Sequence, residues 1–277
     1  MEKITDRIKI IKDIIDLAAR QVSRTYGYKY NIDIFKDLEN GNIIKDLNTV
    51  IKKNNVFVKR HFENIYELNV YRNFLYYLIR IIRPAEVLET GVFHGLTTLW
   101  ILQALHDNNF GCLTSIDLPR REWGNFFPNR EMGAGHQGEE ELPADCDPGW
   151  IVPDKLKDRW KLQIGPSELL LEKVLKKHPI DFFIHDSDHS YETMKYEIET
   201  VIHYNVNCFI AVDNYDHSNF IYEFLAAKEL SSAFINELDE FNDIFPRLAL
   251  LKMGLNESSE QRWVSQLKAR KNNMEQS

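Results

Sequence analysis

Hydrophobic positions in the first third of the chain recur at helical spacing. In residues 3–22 an apolar stripe follows the 3.6-residue period and predicts an amphipathic helix; its members are Ile4, Ile8, Ile11, Ile15 and Ala18. Residues 23–58 are polar and irregular, with room for short helices. An apolar stripe predicts a second long helix over about 62–82, and the proline at position 84 is expected to end it. We therefore expect residues 1–83 to form an N-terminal helical extension.

From residue 84 onward, short apolar runs alternate with amphipathic stretches. Strands are predicted at 86–89, 112–117, 161–164, 181–186, 206–213, 232–238 and 247–253, and helices at 97–106, 153–159, 167–177, 191–204 and 219–230. Strands that alternate with helices are typical of an α/β fold with a doubly wound, mostly parallel seven-stranded sheet. The last two strands have no full helix between them, which predicts an antiparallel hairpin at one edge.

Residues 118–150 show no periodicity and carry several aromatic side chains among glycines, prolines and acids. Loops longer than about 12–15 residues are uncommon in compact domains and usually serve a function. We interpret the segment as a lid or insert in a domain spanning 84–277. The alternative is a surface excursion that packs against a partner subunit.

Composition narrows the function classes. The 277 residues carry a net charge of −8 and no basic stripe of the kind that nucleic-acid-binding proteins present. No apolar run reaches the ~18 residues that a membrane span needs, and charges interrupt the N-terminal stripe, unlike a signal peptide. The three cysteines form neither a zinc motif nor a disulfide framework. We expect a cytoplasmic protein with a small-molecule partner, and the amphipathic helices leave a homo-oligomer open.

Carboxylates follow two of the predicted strands. The sequences IDFFIHDSDHSYE (180–192) and FIAVDNYDHS (209–218) are apolar runs that end in acids, which places Asp186, Asp188, Asp213 and Asn214 at one sheet edge. Open α/β sheets bind ligands at that edge, and oxygen ligands suit Mg²⁺ or another hard divalent cation. The alternative is a set of solvated strand ends and helix caps, with Asp188 and Asp216 as the capping residues.

A glycine turn follows the first predicted strand, in EVLETGVFHGLTTLW (86–100). Gly91 and Gly95 allow a tight turn and a close approach of a ligand, and a helix N-terminus follows. Phe93 and His94 break the glycine spacing that dinucleotide-binding turns carry. Asp117 ends the next strand, where a carboxylate can accept both hydroxyls of a ribose.

A third turn, QIGPSELLL (163–171), places Ser167 as the predicted N-cap of a helix. Taken together, VLETGVFHG, DFFIHDSDHSYE and AVDN resemble the class I S-adenosylmethionine-dependent methyltransferases. Within that group they are similar to the cation-dependent O-methyltransferases, both the catechol and caffeoyl-CoA type and the macrocin and aminocoumarin sugar type. The resemblance covers residues 86 to about 253.

The resemblance implies two sets of ligand-binding residues. S-adenosylmethionine would contact Glu89, Thr90, Gly91, Gly95, Thr97, Asp117, Leu118, Ser167 and Asp186. Mg²⁺ or another divalent cation would bind Asp186, Asp213 and Asn214. Pro166 stands where members of the family often carry an acid that recognises adenine, so backbone groups or Ser167 would take that role here.

The chemistry implied is methylation of a small-molecule hydroxyl, either a phenol or catechol or a sugar. A hydroxyl is a weak nucleophile at pH 7 and loses its proton more readily on a divalent cation. Asp188 is the first choice of general base. His189 is the second choice, and it is considered because an unperturbed histidine titrates near neutrality. The alternatives are a metal-independent N- or O-methyltransferase, a nucleotide-binding oxidoreductase that uses NAD, and a non-catalytic binding module.

Overall fold

A computed structural model describes residues 2–40, 49, 70–128, 142–143, 145–227, 230–238 and 244–253. The described helices are α1 (Glu2–Tyr26), α2 (Ile34–Asn40), α3 (Val70–Ile82), α4 (Leu96–Asp107), α5 (Trp123–Phe126), α6 (Ser167–Lys177), α7 (Tyr191–Tyr204) and α8 (Phe220–Ala227). The strands are β1 (Glu86–Thr90), β2 (Cys112–Asp117), β3 (Trp160–Ile164), β4 (Phe182–His185), β5 (Phe209–Asp213), β6 (Leu230–Leu238) and β7 (Ile244–Met253). Short 3₁₀ turns occupy Arg120–Glu122 and Asp154–Arg159. The predicted helix start at 62–69 lies outside the described residues.

The strands form one seven-stranded sheet in the order β3-β2-β1-β4-β5-β7-β6. The first five strands are parallel, and β7 pairs antiparallel with both β5 and β6. This topology confirms the predicted doubly wound sheet with an antiparallel hairpin at one edge. The strand order reverses between β1 and β4, and open α/β sheets bind ligands at the carboxyl ends of strands at such a point.

Each buried strand serves two hydrophobic layers because successive side chains point to opposite faces. Phe182 packs with the layer formed by α1, α3 and α4, whereas Phe183 packs with α6, α7 and α8. The first three residues of β4, Phe182, Phe183 and Ile184, are therefore apolar, as expected in a strand covered on both faces, and His185 at its end is buried as well. This explains the unbroken run that ends in the acids of the predicted site.

The N-terminal helices pack on the chain's own sheet. The buried residues of α1 include Ile11, Ile15 and Ala18 from the predicted stripe, and they share a core with α3. Nothing in these contacts tests the predicted homo-oligomer or the division of the chain at residue 83. Within the described ranges, none of the helices has the length and hydrophobicity required for a membrane crossing.

Helix α3 is fixed to the sheet through its first turn. The buried Glu237 of β6 accepts hydrogen bonds from the backbone N–H groups of Val70 (3.0 Å) and Tyr71 (2.9 Å). The first N–H groups of a helix have no partner within the helix, and a carboxylate there also interacts favourably with the helix dipole. Glu237 therefore ties the first described turn of α3 to β6.

We predict that Glu237→Ala lowers the free energy of unfolding by about 1–3 kcal/mol, because two buried N–H groups lose their acceptor. Equilibrium unfolding in urea measures this change. The control is Asn236→Ala, at the exposed neighbouring position on β6, which should leave stability nearly unchanged. Equal effects of the two substitutions would contradict the capping role.

Candidate functional site

The carboxyl ends of β1, β4 and β5 bring the predicted residues together. Gly91, just after β1, has φ 83° and lies so close to β4 that an added Cβ would stand 1.9 Å from the carbonyl oxygen of Asp186. The backbone N–H of Asp186 donates to the carbonyl of Thr90 (2.9 Å). Gly91 is therefore required by this approach of two strand ends, in addition to any contact with a ligand.

Asp186 is held from two sides. Its Oδ2 accepts hydrogen bonds from the hydroxyl of Thr97 on α4 (2.9 Å) and from the phenol of Tyr71 on α3 (3.3 Å). Tyr71 is fully buried. The carboxylate thus has a fixed orientation toward the crevice.

Asp213 and Asn214 are bound by an arginine of the edge hairpin. Arg247 on β7 donates to Asp213 Oδ2 (2.7 Å) and to Asn214 Oδ1 (2.6 Å). Burial and the neighbouring carboxylate of Asp186 raise the pKa of Asp213 well above its usual range, although Arg247 and Arg72 oppose this. Asp213 is 1% exposed, and its Oδ1 has no hydrogen-bond partner.

His189 completes this cluster. One ligand atom from each of Asp186, His189 and Asp213 lies within 4.8 Å of the other two. Burial lowers the pKa of His189 to about 4, so its ring is neutral at pH 7. Its Nε2 is buried without a hydrogen-bond partner. Two adjacent carboxylates beside a neutral imidazole can accept a divalent cation, so these residues fit one.

A buried network supports the cluster from below. Glu197 on α7 is fully buried and accepts hydrogen bonds from Thr90 (2.6 Å) and Ser187 (3.0 Å), and it pairs with His185 Nδ1 (2.7 Å). Burial raises the pKa of Glu197, but the charge of His185 and the hydrogen bonds from His185 and Thr90 outweigh it and lower the pKa overall. The network joins the ends of β1 and β4 to α7.

Asp188 forms hydrogen bonds with residues at the start of α7. Its carboxylate accepts from the N–H of Ser190 (3.2 Å) and from the hydroxyls of Ser190 (2.7 Å) and Thr193 (2.9 Å). Ser190, not Asp188, is the N-cap of the helix. Ser218 rather than Asp216 bonds the first N–H of α8. The alternative interpretation of the sequence required Asp188 and Asp216 to be the capping residues, and neither acid occupies the N-cap position.

Glu89 lies in the floor of the crevice. It is fully buried, and its Oε2 accepts from the hydroxyls of Thr98 (2.9 Å) and Ser115 (2.7 Å). Its Oε1 is buried without a partner. Burial raises the pKa of Glu89 to about 8. An acid with an unused buried oxygen is a strong candidate for contact with a ligand.

The second and third predicted turns lie beside the first. Asp117 Oδ2 accepts from the N–H groups of Val92 (2.6 Å) and Phe93 (2.9 Å) in the glycine turn, and Leu118 follows it. The predicted N-cap at Ser167 is wrong. Ser167 is the first residue of α6 and Pro166 precedes it without a side-chain cap, because Pro166 fixes the extended φ that a cap position needs.

The described parts of the predicted lid pack over the glycine turn. Trp150 Nε1 donates to His94 Nδ1 (2.8 Å), and the N–H of Gly149 donates to the carbonyl of Phe93 (2.8 Å). Arg121 joins the two halves of the segment by donating to the carbonyl of Cys146 (2.7 Å). Residues 129–141 and 144 lie outside the described part, so the lid stays a prediction.

Three residues of the site did not come from sequence reasoning. Arg247 is one of two charged residues in the otherwise apolar strand β7, with Lys252, and a charge inside such a strand is a signal for a buried partner. Glu197 falls on the buried stripe of α7 with Met194, Ile198 and Val201, which marks it as a buried acid. Tyr71 is one of twelve tyrosines and had no distinguishing signal.

Residues 88–215 match a family model described as a methyltransferase domain. The match spans the glycine turn, both acidic strand ends and the described lid segments. It confirms the prediction of a methyltransferase domain for this part of the chain. None of the curated proteins matches the chain.

Several solved structures are distantly similar to this chain. An O-methyltransferase from Bacillus cereus in complex with SAH is 16% identical with a TM-score of 0.48, and the match covers 76% of this chain and 90% of that one. An O-methyltransferase of tomaymycin synthesis from Streptomyces achromogenes, in complex with SAM, is 13% identical with a TM-score of 0.47, covering 82% and 92%. A SAH-bound methyltransferase from Podospora anserina is 12% identical with a TM-score of 0.48, covering 82% and 98%. At these scores the likenesses carry no argument about ligands.

We predict that Glu89→Gln makes stability less dependent on pH. Between the usual pKa of 4.5 and about 8, the unfolded chain ionises Glu89 while the folded chain holds its proton. The folded wild type therefore loses stability as pH rises through that window, by at most about 1.4 kcal/mol per pH unit. Gln removes this loss.

Urea unfolding at pH 5 and pH 8 measures the effect. The free energy of unfolding of Glu89→Gln relative to wild type should rise by up to a few kcal/mol between the two pH values. Glu199→Gln, at an exposed position, is the control. An unchanged difference between wild type and Glu89→Gln would show that Glu89 is ionised in the folded protein.

Proposed function

We propose that this chain, whose residues 88–215 match a methyltransferase domain, is an S-adenosylmethionine-dependent O-methyltransferase that uses a divalent cation. The acceptor is a hydroxyl of a small molecule, a phenol or catechol or a sugar. The observation that carries the proposal is the adjacency of Asp186 and Asp213 at the ends of β4 and β5, beside the glycine turn. Ligands bind at this edge in open α/β sheets.

The crevice residues fit the cofactor. Glu89 offers an unpartnered buried Oε1, which suits the ammonium group of the methionine moiety. Both backbone bonds to Asp117 go to Oδ2, so its Oδ1 can accept from a ribose hydroxyl. Thr90, Gly91, Gly95 and Thr97 would line the methionine end, and Leu118 and Ser167 the adenosine end.

Bound together, the cofactor would supply the methyl group and the cation would lower the pKa of the acceptor hydroxyl. Asp186 and Asp213 would hold the cation, Mg²⁺ or another divalent ion. Asn214, the third predicted ligand, accepts a hydrogen bond from Arg247 through the same Oδ1 that a cation would need. Arg247 and Tyr71 keep the two carboxylates in place, which limits the reorganisation required during reaction.

Asp188 is the proposed proton acceptor. A histidine has an advantage as a base near pH 7 because of its usual pKa, and the low pKa of His189, about 4, removes that advantage. Three hydrogen bonds at the start of α7 orient the carboxylate of Asp188. Asp188 is therefore the better placed of the two predicted bases.

The acceptor would enter under the segment 118–150, which we propose as a lid of the domain 84–277. Trp123 and Phe127 lie with ring centroids 4.8 Å apart in its first half, and Trp150 lies in its second. Aromatic surfaces of this kind suit a flat phenol or a sugar face. The net charge of −8 and the lack of a basic stripe favour a small acceptor in the cytoplasm over nucleic acid or membrane.

The test is transfer of labelled methyl groups from S-adenosylmethionine to catechols, phenols and reducing sugars, with Mg²⁺ or EDTA. We predict that Asp186→Ala lowers kcat/KM by at least about 100-fold, a typical loss for a removed electrostatic group, while circular dichroism shows a folded protein. Asp216→Ala, an exposed acid in the neighbouring loop, is the control. In the same assay Asp188→Asn should lower kcat and leave KM nearly unchanged.

Wild-type rates in Asp186→Ala would contradict the role of the acidic pair. Full activity in EDTA would instead support a metal-independent methyltransferase, in which the guanidinium of Arg247 supplies the positive charge beside Asp213. Absence of transfer to every acceptor tested would reject these acceptor classes.

A further inference from the structure

A cation at the acidic pair, Asp186 and Asp213, needs a third protein ligand. Asp213 is almost fully buried and keeps one oxygen, Oδ1, without a hydrogen-bond partner. A buried polar atom without a partner is rare in folded proteins and points to a group that binds there. Asp186 and Asp213 provide two carboxylates for such a group.

Asn214 is poorly placed to be the third ligand. Its backbone has a positive φ of 46°, and its Oδ1 accepts a 2.6 Å hydrogen bond from Arg247. The same guanidinium also holds Asp213 Oδ2. To bind a cation through Oδ1, Asn214 would have to share that oxygen with a short charge-assisted hydrogen bond and accept a divalent charge beside Arg247.

His189 meets the requirements that Asn214 does not. Its ring lies in the cluster with Asp186 and Asp213, and its Nε2 is buried without a partner. An imidazole nitrogen is a common metal ligand in proteins. The ring is fixed between two others, with centroids 5.7 Å from His185 and 5.4 Å from His217.

We propose that the cation is bound by Asp186, Asp213 and His189, and that Arg247 withholds Asn214 from it. This proposal rests on the use of a cation proposed above. An imidazole among the ligands suits transition metals, whereas an all-oxygen set suits Mg²⁺. The site should therefore prefer a divalent transition metal to Mg²⁺.

The test uses Mn²⁺ alone, without cofactor or acceptor. Electron paramagnetic resonance of free Mn²⁺ gives its affinity for wild type, His189→Gln, His217→Gln and Asn214→Ala, with circular dichroism to confirm folding. Spin-echo modulation by nitrogen on the wild-type complex reports a directly bound imidazole and needs no variant. Displacement of Mn²⁺ by Mg²⁺ measures the preference between the two metals.

We expect nitrogen modulation in wild type and in His217→Gln, and its loss in His189→Gln. His189→Gln should weaken Mn²⁺ binding by at least about tenfold, since loss of even an outer partner of a ligand costs that much, and should let Mg²⁺ compete more easily. Asn214→Ala should bind Mn²⁺ within about threefold of wild type.

Binding of Mn²⁺ without nitrogen modulation, or a larger loss in Asn214→Ala than in His189→Gln, would overturn the proposal. Absence of Mn²⁺ binding would overturn it as well. Because no cofactor is present, these results are independent of whether the chain transfers methyl groups, which the labelled-methyl assay decides.

Discussion

A buried carboxylate, Asp213, and a half-buried one, Asp186, lie side by side at the ends of adjacent parallel strands, and this is the constraint on which the cluster depends. Burial and mutual repulsion make the ionised pair unfavourable, so the surrounding structure must supply compensating charge and hydrogen bonds. Arg247 neutralises Asp213, while Tyr71 and Thr97 donate to Asp186. Two buried atoms still have no hydrogen-bond partner, Oδ1 of Asp213 and Nε2 of His189. These two atoms are the reason to place a cation there.

Helix α3 and the edge hairpin both contribute to this arrangement. Tyr71 reaches Asp186 because Glu237 fixes the first turn of α3 against β6. Arg247 reaches Asp213 because β7 pairs antiparallel with β5, with Asp213 opposite Leu248. Elements outside the parallel half of the sheet thus hold Asp186 and Asp213 in place.

The fold and the meeting of the acidic strand ends could be predicted from the sequence because they depend on local patterns. The apolar run that becomes β4 and the carboxylates that follow it are visible in the chain, and parallel topology brings Asp186 and Asp213 together. Side-chain partners depend on tertiary packing. Nothing near Asn214 in the sequence indicates that Arg247, 33 residues away, would bind it, nor that Asp188 would bond Ser190 and Thr193. The predicted cap at Ser167 failed because Pro166 already fixes the backbone there.

Thermal unfolding of the purified protein tests most directly whether the crevice binds S-adenosylmethionine and a divalent cation. It is measured with S-adenosylhomocysteine, with NAD⁺ and with neither, each in Mg²⁺ or EDTA. A ligand at about 100 times its Kd adds roughly 2.7 kcal/mol, which is a shift of several degrees for a chain of this size. We predict a shift with S-adenosylhomocysteine and a further shift with the cation. No response to S-adenosylhomocysteine and a clear response to NAD⁺ would contradict it.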